Sequence, residues 1–561
     1  MPPIHSRTAM DRVIRRAPEL LLGAALAAAA AILLYLTREL TFLQDTWEFL
    51  MNRRDFTVDA LMQPHNEHIV VIPVVLEQAI LRLFGMTSPR PEYVLQTVAL
   101  LTTASLLFLY VRRRVGPWLA LFAAVLLLFL GPAWEALLWP FEISFVGSVL
   151  FGIAMLLALD RDDRRGDIAA CAFLTLSFGF SSVGIPFAAA AVVDLFQKRR
   201  SRGLGRVYLL AVPIALYAAW YAGWGHDAET HISLSNVLAS PRFVFEAAAT
   251  AVGSVFGLGT SPFGGSPDPV WGRPILLALI GIFAYRQMRK PGFSPSFWPV
   301  AAAAAVNWFL TAFNAVPGRE ATSSRYQYFG GVLVLMLLAN LLRDVQISRR
   351  ALMVGGAVTV AAVGVNLVVL RDGRNAFTQQ SVLTRADIGA IEIARRTVDP
   401  EFSLTPEVAG TATLVDVQAG KYLRAVREYG SPAYTPGELA GAPDYGRRQA
   451  DIVLAQALPL SMATRRDAFR PSRPIGSCVP LPGGGASQGV EVRLAPGRTR
   501  IELAPGPAAK LTLRRFATGE FPVDSGEAPG DSVTLLRVPR DEAPRPWFLH
   551  VEASQPARVC P

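Results

Sequence analysis

Apolar runs long enough to cross roughly 30 Å of hydrocarbon recur near residues 18–40, 92–111, 115–131, 143–160, 167–180, 182–197, 206–224, 273–288, 297–315, 326–343 and 351–370. They predict about eleven transmembrane helices. The stretch IVVIPVVLEQAILRLFG (69–85) is also apolar, but Pro73, Glu77 and Arg82 interrupt it. The placement of arginine decides its fate, because loops on the cytoplasmic side carry the Lys/Arg excess. With 69–85 lying along the outer surface as an interfacial helix, VRRRVG (111–116), DRDDRRGD (160–167), QKRRSRGLGR (197–206), RQMRKPG (286–292) and RDVQISRR (343–350) all fall inside. If that stretch crosses instead, every cluster moves outside, so it is assigned to the outer interface.

This topology leaves 41–91, 131–142, a turn near 180, 225–272, 316–325 and everything after about 371 on the outer side. From there the chain becomes polar and rich in Pro and Gly, long enough for one or two small domains. Residues 384–398 and 444–458 have helical spacing of their apolar positions. Beyond Cys478 the segments alternate apolar and polar residues between Gly-Pro turns, the pattern of a small antiparallel sandwich. PGGGASQG (482–489) lacks the lysine and the strand-to-helix setting of a phosphate loop and reads as a linker. The pattern thus predicts a polytopic α-helical membrane domain over 1–370. An extracytoplasmic α/β plus β-sandwich-like domain follows over 371–561, strand-rich from about 478.

Composition agrees: 52% of the residues are hydrophobic and 17% charged, with a mean hydropathy of +0.34. The net charge of +10 does not indicate nucleic acid, since the arginines lie in short clusters between apolar runs with no aromatic-laced basic face. Arg7, Arg12, Arg15 and Arg16 precede LLGAALAAAAAILLYL, which reads as a retained first span with a cytoplasmic N-terminus rather than a cleaved signal. Of the 3 cysteines, Cys171 lies in an apolar run, while Cys478 and Cys560 bracket the strand-rich tail and are candidates for one bridge or two separate thiols.

Candidate chemistry gathers in the outer loops. Asp45 and Glu48 stand in QDTWEFL just after the first span, where a capped helix end is the simplest explanation and a reactive carboxylate at headgroup depth the sharper one. Trp47 beside them suits an aromatic belt. HNEH (65–68) places His65 and His68 three apart around Glu67 at the start of the interfacial helix, where an i, i+3 pair shares a face. Zinc is disfavoured by that spacing; a divalent cation, Mg2+ or Mn2+, held by Asp45 and Glu67 and polar groups gripping a phosphate or sugar are the alternatives. GPAWEALLWPFEISF (131–145) carries Trp134, Glu135, Trp139 and Glu142, the mixture that holds sugar rings and equally the mixture that anchors spans. His226 and Asp227 add polar groups on the same side. Arg319 and Arg325, in VPGREATSSRYQYF, break the charge rule, and a lipid-linked phosphate at headgroup depth is an anion that would hold them there.

The arrangement resembles the GT-C class of membrane glycosyltransferases, on Asp45 after the first span, the interfacial helix, the many spans, Arg325-Tyr326 opening a late span and the outer C-terminal domain. More narrowly, QPHNEHIVVIPVVLEQAILRLFG, GPAWEALLWPFEISFVGS and SSVGIPFAAAAVVDL are similar to a group of bacterial, notably actinobacterial, membrane proteins placed near that class. The similarity covers about residues 15–370. It implies a GT-C-like fold in a bacterial plasma membrane and transfer of a sugar, with inversion, from a polyprenyl-phosphate-linked donor to an envelope glycan, lipid or protein. On that resemblance Asp45 is the general base with Glu67 or Glu48 in reserve. Arg325, Arg319, His65 and His68 hold the donor phosphate, and Trp139, Glu142, Glu135, His226 and Asp227 line the sugar or acceptor. The class often pairs two acids in this loop, whereas here Glu48 follows Asp45 by three residues. The rival functions are a transporter or flippase of a lipid-linked sugar and a non-catalytic envelope scaffold.

Overall fold

The computed structural model describes residues 5–260, 267–289, 291–405, 417–465, 478–481, 489–541, 543 and 545–560. The proposed linker 482–489 therefore lies, but for Gly489, outside the described residues. The chain divides into two compact units: Met1–Glu39, Arg53–Ile80 and Arg90–Ala376 form the first, and Leu40–Asn52, Leu81–Pro89 and Phe377–Pro561 the second. The division falls near the expected 370/371 boundary, but two pieces of the first outer loop belong with the tail. Trp47 explains one of them: it is fully buried in the second unit, donating from Nε1 to the Phe42 carbonyl at 3.1 Å and meeting Tyr422 edge-on at 5.9 Å. It is a core residue and not a membrane-belt residue, its N–H satisfied inside the protein and its ring packed between Phe42 and Tyr422.

In the first unit each of the eleven apolar runs is a helix. Arg16–Leu36, Arg90–Val115, Pro140–Leu159 and Arg349–Ile393 are long and apolar enough to cross a membrane, and a fifth span results if the pair Pro117–Leu128 and Gly131–Leu138, bent by 47°, counts as one. Tyr208–Gly223 and Phe297–Phe313 are apolar but shorter. Among the described residues, length and composition thus support four or five crossings where the apolar pattern suggests about eleven. Local chemistry sets the breaks: Gly116, at φ 87, separates two helices with Pro117 opening the second, and Gly203, at φ 69, ends Ile185–Arg202. Small residues let helices meet closely; a Cβ on Gly147 would sit 2.3 Å from Phe180, and one on Gly152 2.2 Å from Phe187. Leu277, Ile280, Ile282, Val354 and Val360 are all more than half exposed, a surface that belongs in lipid. The expected interfacial stretch is the helix Val71–Phe84, 14 residues and too short to span.

The second unit holds the helices Ala419–Tyr429, Pro436–Gly441 and Asp444–Ala457. Its strands are β1 (Ser403–Leu404), β2 (Val417–Gln418), β3 (Ser461–Arg465), β4 (Val479–Leu481), β5 (Val490–Leu494), β6 (Gly497–Leu503), β7 (Ala509–Arg514), β8 (Val523–Ala528), β9 (Ser532–Val538), β10 (Trp547–Glu552) and β11 (Ala557–Cys560). Two antiparallel sheets, β5-β10-β7-β8 and β3-β9-β6-β11-β4, share one apolar core. The alternation is plain along β10, where Trp547, Leu549 and Val551 are buried and Glu552 is exposed. Cys478 and Cys560 form a disulfide where β4 pairs β11. The Asp451 carboxylate fastens the helix Asp444–Ala457 to the sheets by accepting the backbone N–H groups of Arg515, Phe516 and Ala517 at 2.8–3.1 Å.

Candidate active site

His65 and His68 do not share a helix face as their spacing suggests. They close a tight turn in which each backbone N–H donates to the other's carbonyl at 3.0 Å, with Asn66 at φ 50. The helix begins only at Val71, so the turn is free to aim its side chains apart. His65 packs edge-on against Phe141 at 5.0 Å and His68 against Phe145 at 5.1 Å. Buried Arg53 braces the preceding strand of chain, donating to the carbonyls of Gln63 and Pro64 at 2.8 and 2.7 Å. Ser182 braces the following one, accepting from the Ile69 N–H at 3.3 Å and donating to the Glu67 carbonyl at 3.2 Å.

So held, Glu67 meets Arg319, whose Nη1 donates to both carboxylate oxygens at 2.9 and 2.8 Å. Burial acts to raise the Glu67 carboxyl, and the imidazole of His68, the positive charge of Arg319 and the hydrogen bonds it receives outweigh that and hold the group below its ordinary value. His68 itself is pushed down to about 4 by burial, so at pH 7 it is neutral and Arg319 supplies the charge. His68 therefore offers a phosphate an N–H but no positive charge.

Arg325 lies in the first turn of the helix Ser324–Leu341. Glu135 caps that turn: its Oε2 accepts the Arg325 backbone N–H at 2.8 Å and lies 3.4 Å from Arg325 Nε, while the Glu135 N–H donates to Ser324 Oγ at 3.1 Å. A carboxylate at a helix N-terminus also complements the helix dipole. Tyr326, the next residue, is within electrostatic reach of Arg325, Arg319, Glu67 and Glu142 together. The two rule-breaking arginines and the HNEH turn thus converge on one place. Beside it opens a cavity of about 370 Å³ whose lining includes Trp134, Glu135, Glu320, Arg325 and Asp372. The Glu320 carboxyl is held below its ordinary value chiefly by the Gly318 backbone N–H, which donates to it at 2.8 Å.

Other expected site residues fall elsewhere. Trp139 and Glu142 are 1% and 2% exposed, with Trp139 stacked on Phe141 at 5.2 Å, so the open aromatic is Trp134. Glu135 serves the helix end as much as the cavity. His226 and Asp227 form an exposed pair at 3.5 Å and do not line this cavity. Asp45 and Glu48 belong to the second unit, half-buried where the helix Thr46–Asn52 begins. Among the described residues no group of three or more His, Cys, Asp or Glu side chains is arranged to hold a metal ion. Sequence reasoning missed Asp372, which stands just past the last apolar run and reads as the start of the tail, and Arg53, which no pattern distinguishes from a surface arginine.

No family model and no curated protein matches the chain. Among solved structures it is similar to ArnT from Cupriavidus metallidurans bound to undecaprenyl phosphate, at 13% identity and a TM-score of 0.46, covering 80% of this chain and 93% of that one. The apo state of the same protein gives 14% identity and a TM-score of 0.48 over the same shares.

Proposed function

We propose that the protein is a multi-pass glycosyltransferase of a bacterial plasma membrane. It moves a sugar from a polyprenyl-phosphate donor to an envelope glycan, lipid or protein on the outer face, with the N-terminus cytoplasmic and the tail outside. The observation that carries this is the convergence of Arg319, Arg325, Glu67 and Glu142 around Tyr326, with Glu67 bound to Arg319 and Glu135 to Arg325, in an otherwise apolar helical unit. Cations kept at such a place need an anion, and guanidinium groups match a phosphate's oxygens. In this structure carboxylates fill that role, Glu67 for Arg319 and Glu135 for Arg325. A donor phosphate binds by competing for the same N–H groups.

In the reaction, the acceptor hydroxyl oxygen attacks the anomeric carbon while a carboxylate takes its proton. The bond from the anomeric carbon to the phosphate oxygen breaks, its electron pair stays on the phosphate, and the arginines stabilise the added charge. Attack opposite the phosphate inverts the centre. On the sequence resemblance we assign the proton to Asp45, with Glu67 or Glu48 in reserve. Purified protein incubated with labelled polyprenyl-phosphate sugars and envelope acceptors should release labelled product, and Asp45→Asn should fold yet abolish release; unchanged release removes Asp45 as the base. Transport of a lipid-linked sugar draws support from one observation: an acid, Glu92, is buried on the helix Arg90–Val115, which is long and apolar enough to cross a membrane. Movement of intact donor across proteoliposomes with no bond broken favours it.

A further inference from the structure

At the end of the first unit formed by residues 160–167 and 197–206, the sequence shows only a mixture of charges. The structure sorts them. Asp167 binds Arg202 at 2.9 Å and Arg206 at 2.8 Å; Asp194 binds Arg206 at 2.9 Å and Lys198 at 2.8 Å. Asp162 meets Arg202 at 3.3 Å and Lys198 at 3.4 Å, and Asp163 holds Arg161 at 3.1 Å. These four carboxylates are thereby matched by four cations, and a fifth, Asp160, is taken by Arg113 at 3.6 Å and Arg114 at 3.1 Å. Left over are Arg164, Arg165, Arg199 and Arg200, all exposed and, among the described residues, with no carboxylate at salt-bridge distance. The bridges from Asp162 and Asp167 to Arg202 hold the start of the helix Arg164–Phe180 beside the end of Ile185–Arg202, so the four guanidinium groups stand on adjoining helix ends.

Next to them the surface is apolar. Val192, Phe196, Ile168 and Val207 are 50%, 62%, 53% and 49% exposed, and Arg199 lies over the Phe196 ring at 3.9 Å. The helix Pro140–Leu159, long enough to cross a membrane, ends immediately before residue 160. Arginine charge at a helix end, an aromatic ring beneath it and exposed aliphatic groups further along match the order of an anionic lipid: phosphate, glycerol region, acyl chains. Retention of positive loops on one side of a membrane requires the arginines, but not the pairing of the nearby acids with other cations, Asp167 and Asp194 in a buried network and Asp162 and Asp163 at the surface.

We propose that this end of the molecule is a docking surface for anionic phospholipid, with Arg164, Arg165, Arg199 and Arg200 on the headgroup phosphate and Phe196 and Val192 against the acyl chains. It is independent of the transferase activity. Each guanidinium near such a surface contributes about fivefold in binding.

The test uses the full-length protein in neutral detergent, with phosphatidylglycerol and phosphatidylcholine retained per molecule counted by native mass spectrometry. The wild type should retain phosphatidylglycerol in preference by at least about tenfold, and R164Q/R165Q/R199Q/R200Q should lose that preference, while the same four changes to Lys keep most of it. If the fourfold Gln variant does not fold, R164Q/R165Q and R199Q/R200Q are compared instead, each expected to weaken the preference. Equal retention of the two lipids by the wild type overturns the proposal. So does an unchanged preference in the Gln variants, or inorganic phosphate raising Tm as much as phosphatidylglycerol at the same concentration.

Discussion

Glu67 and His68 are neighbours in sequence with opposite needs. A folded-state carboxyl held below its ordinary value contributes stability above its unfolded pKa and loses it as the pH falls through the folded value. His68 is also lowered, from 6.5 to about 4, but as a base: the unfolded chain takes up its proton first. Stability from a neutral His68 is therefore present above pH 6.5 and lost progressively as the pH falls toward about 4. Thermal melts of the wild type should show Tm declining over that window, and His68→Gln should flatten the decline; an unchanged slope in the variant would show that His68 is not its source. Glu135 makes a separate prediction. Glu135→Ala removes a helix cap worth about 1 kcal/mol and a competitor for the Arg325 N–H groups, so Tm should fall while KM for the donor falls too, with Glu135→Gln keeping more of the Tm because an amide oxygen can still accept the Arg325 N–H; a KM unchanged or raised in Glu135→Ala would show that the phosphate does not compete there.

Among the elements, the helices were the most legible in the sequence, since eleven apolar runs correspond to eleven helices. Their ends were less so. A Gly at positive φ such as Gly116 leaves a mark in the sequence, but the turn at 65–68 was misread because i, i+3 spacing suits both a helix and a two-histidine turn. Strand alternation beyond residue 478 was legible as well, although β3 at Ser461–Arg465 was not, every residue of it being exposed. Nor was the anchor between helix and sheet. Burial pushes the Asp451 carboxyl up while three backbone N–H groups and Arg515 pull it back, so its worth lies in satisfying those donors. Asp451→Ala should destabilise the second unit by about 2–4 kcal/mol, read as a lower denaturant midpoint; a loss below about 0.5 kcal/mol would show that those N–H groups find water instead.

At the scale of the whole molecule, the sequence separates an apolar part from a polar tail but gives no sign that residues 40–52 and 81–89 belong with the tail. Trp47 resembles an interfacial anchor until Tyr422 and Phe42 are seen around it. The sequence alone allows the cysteine pair either a bridge or two thiols, because pairing two cysteines 82 residues apart depends on the strands beside them meeting in register. A crosslink closing a loop of that length stabilises by about 4 kcal/mol. Cys560→Ser should lower the Tm of the second unit by several degrees, and reductant should shift the wild type but not the variant; equal shifts in both would deny the bridge a stabilising role. The convergence at Tyr326 was half legible, since charge placement singled out Arg319 and Arg325 while their carboxylate partners, Glu67 and Glu135, lie 252 and 190 residues away.

Whether those arginines serve one phosphate is settled most directly by the rate of labelled sugar transfer from a polyprenyl-phosphate donor, measured for the wild type, Arg319→Gln, Arg325→Gln and the double variant. Each single change should lower kcat/KM by about 10²–10³, and the double should lose less than the product of the two, because residues acting on one group are not additive. Wild-type kcat/KM in both single variants would contradict the assignment.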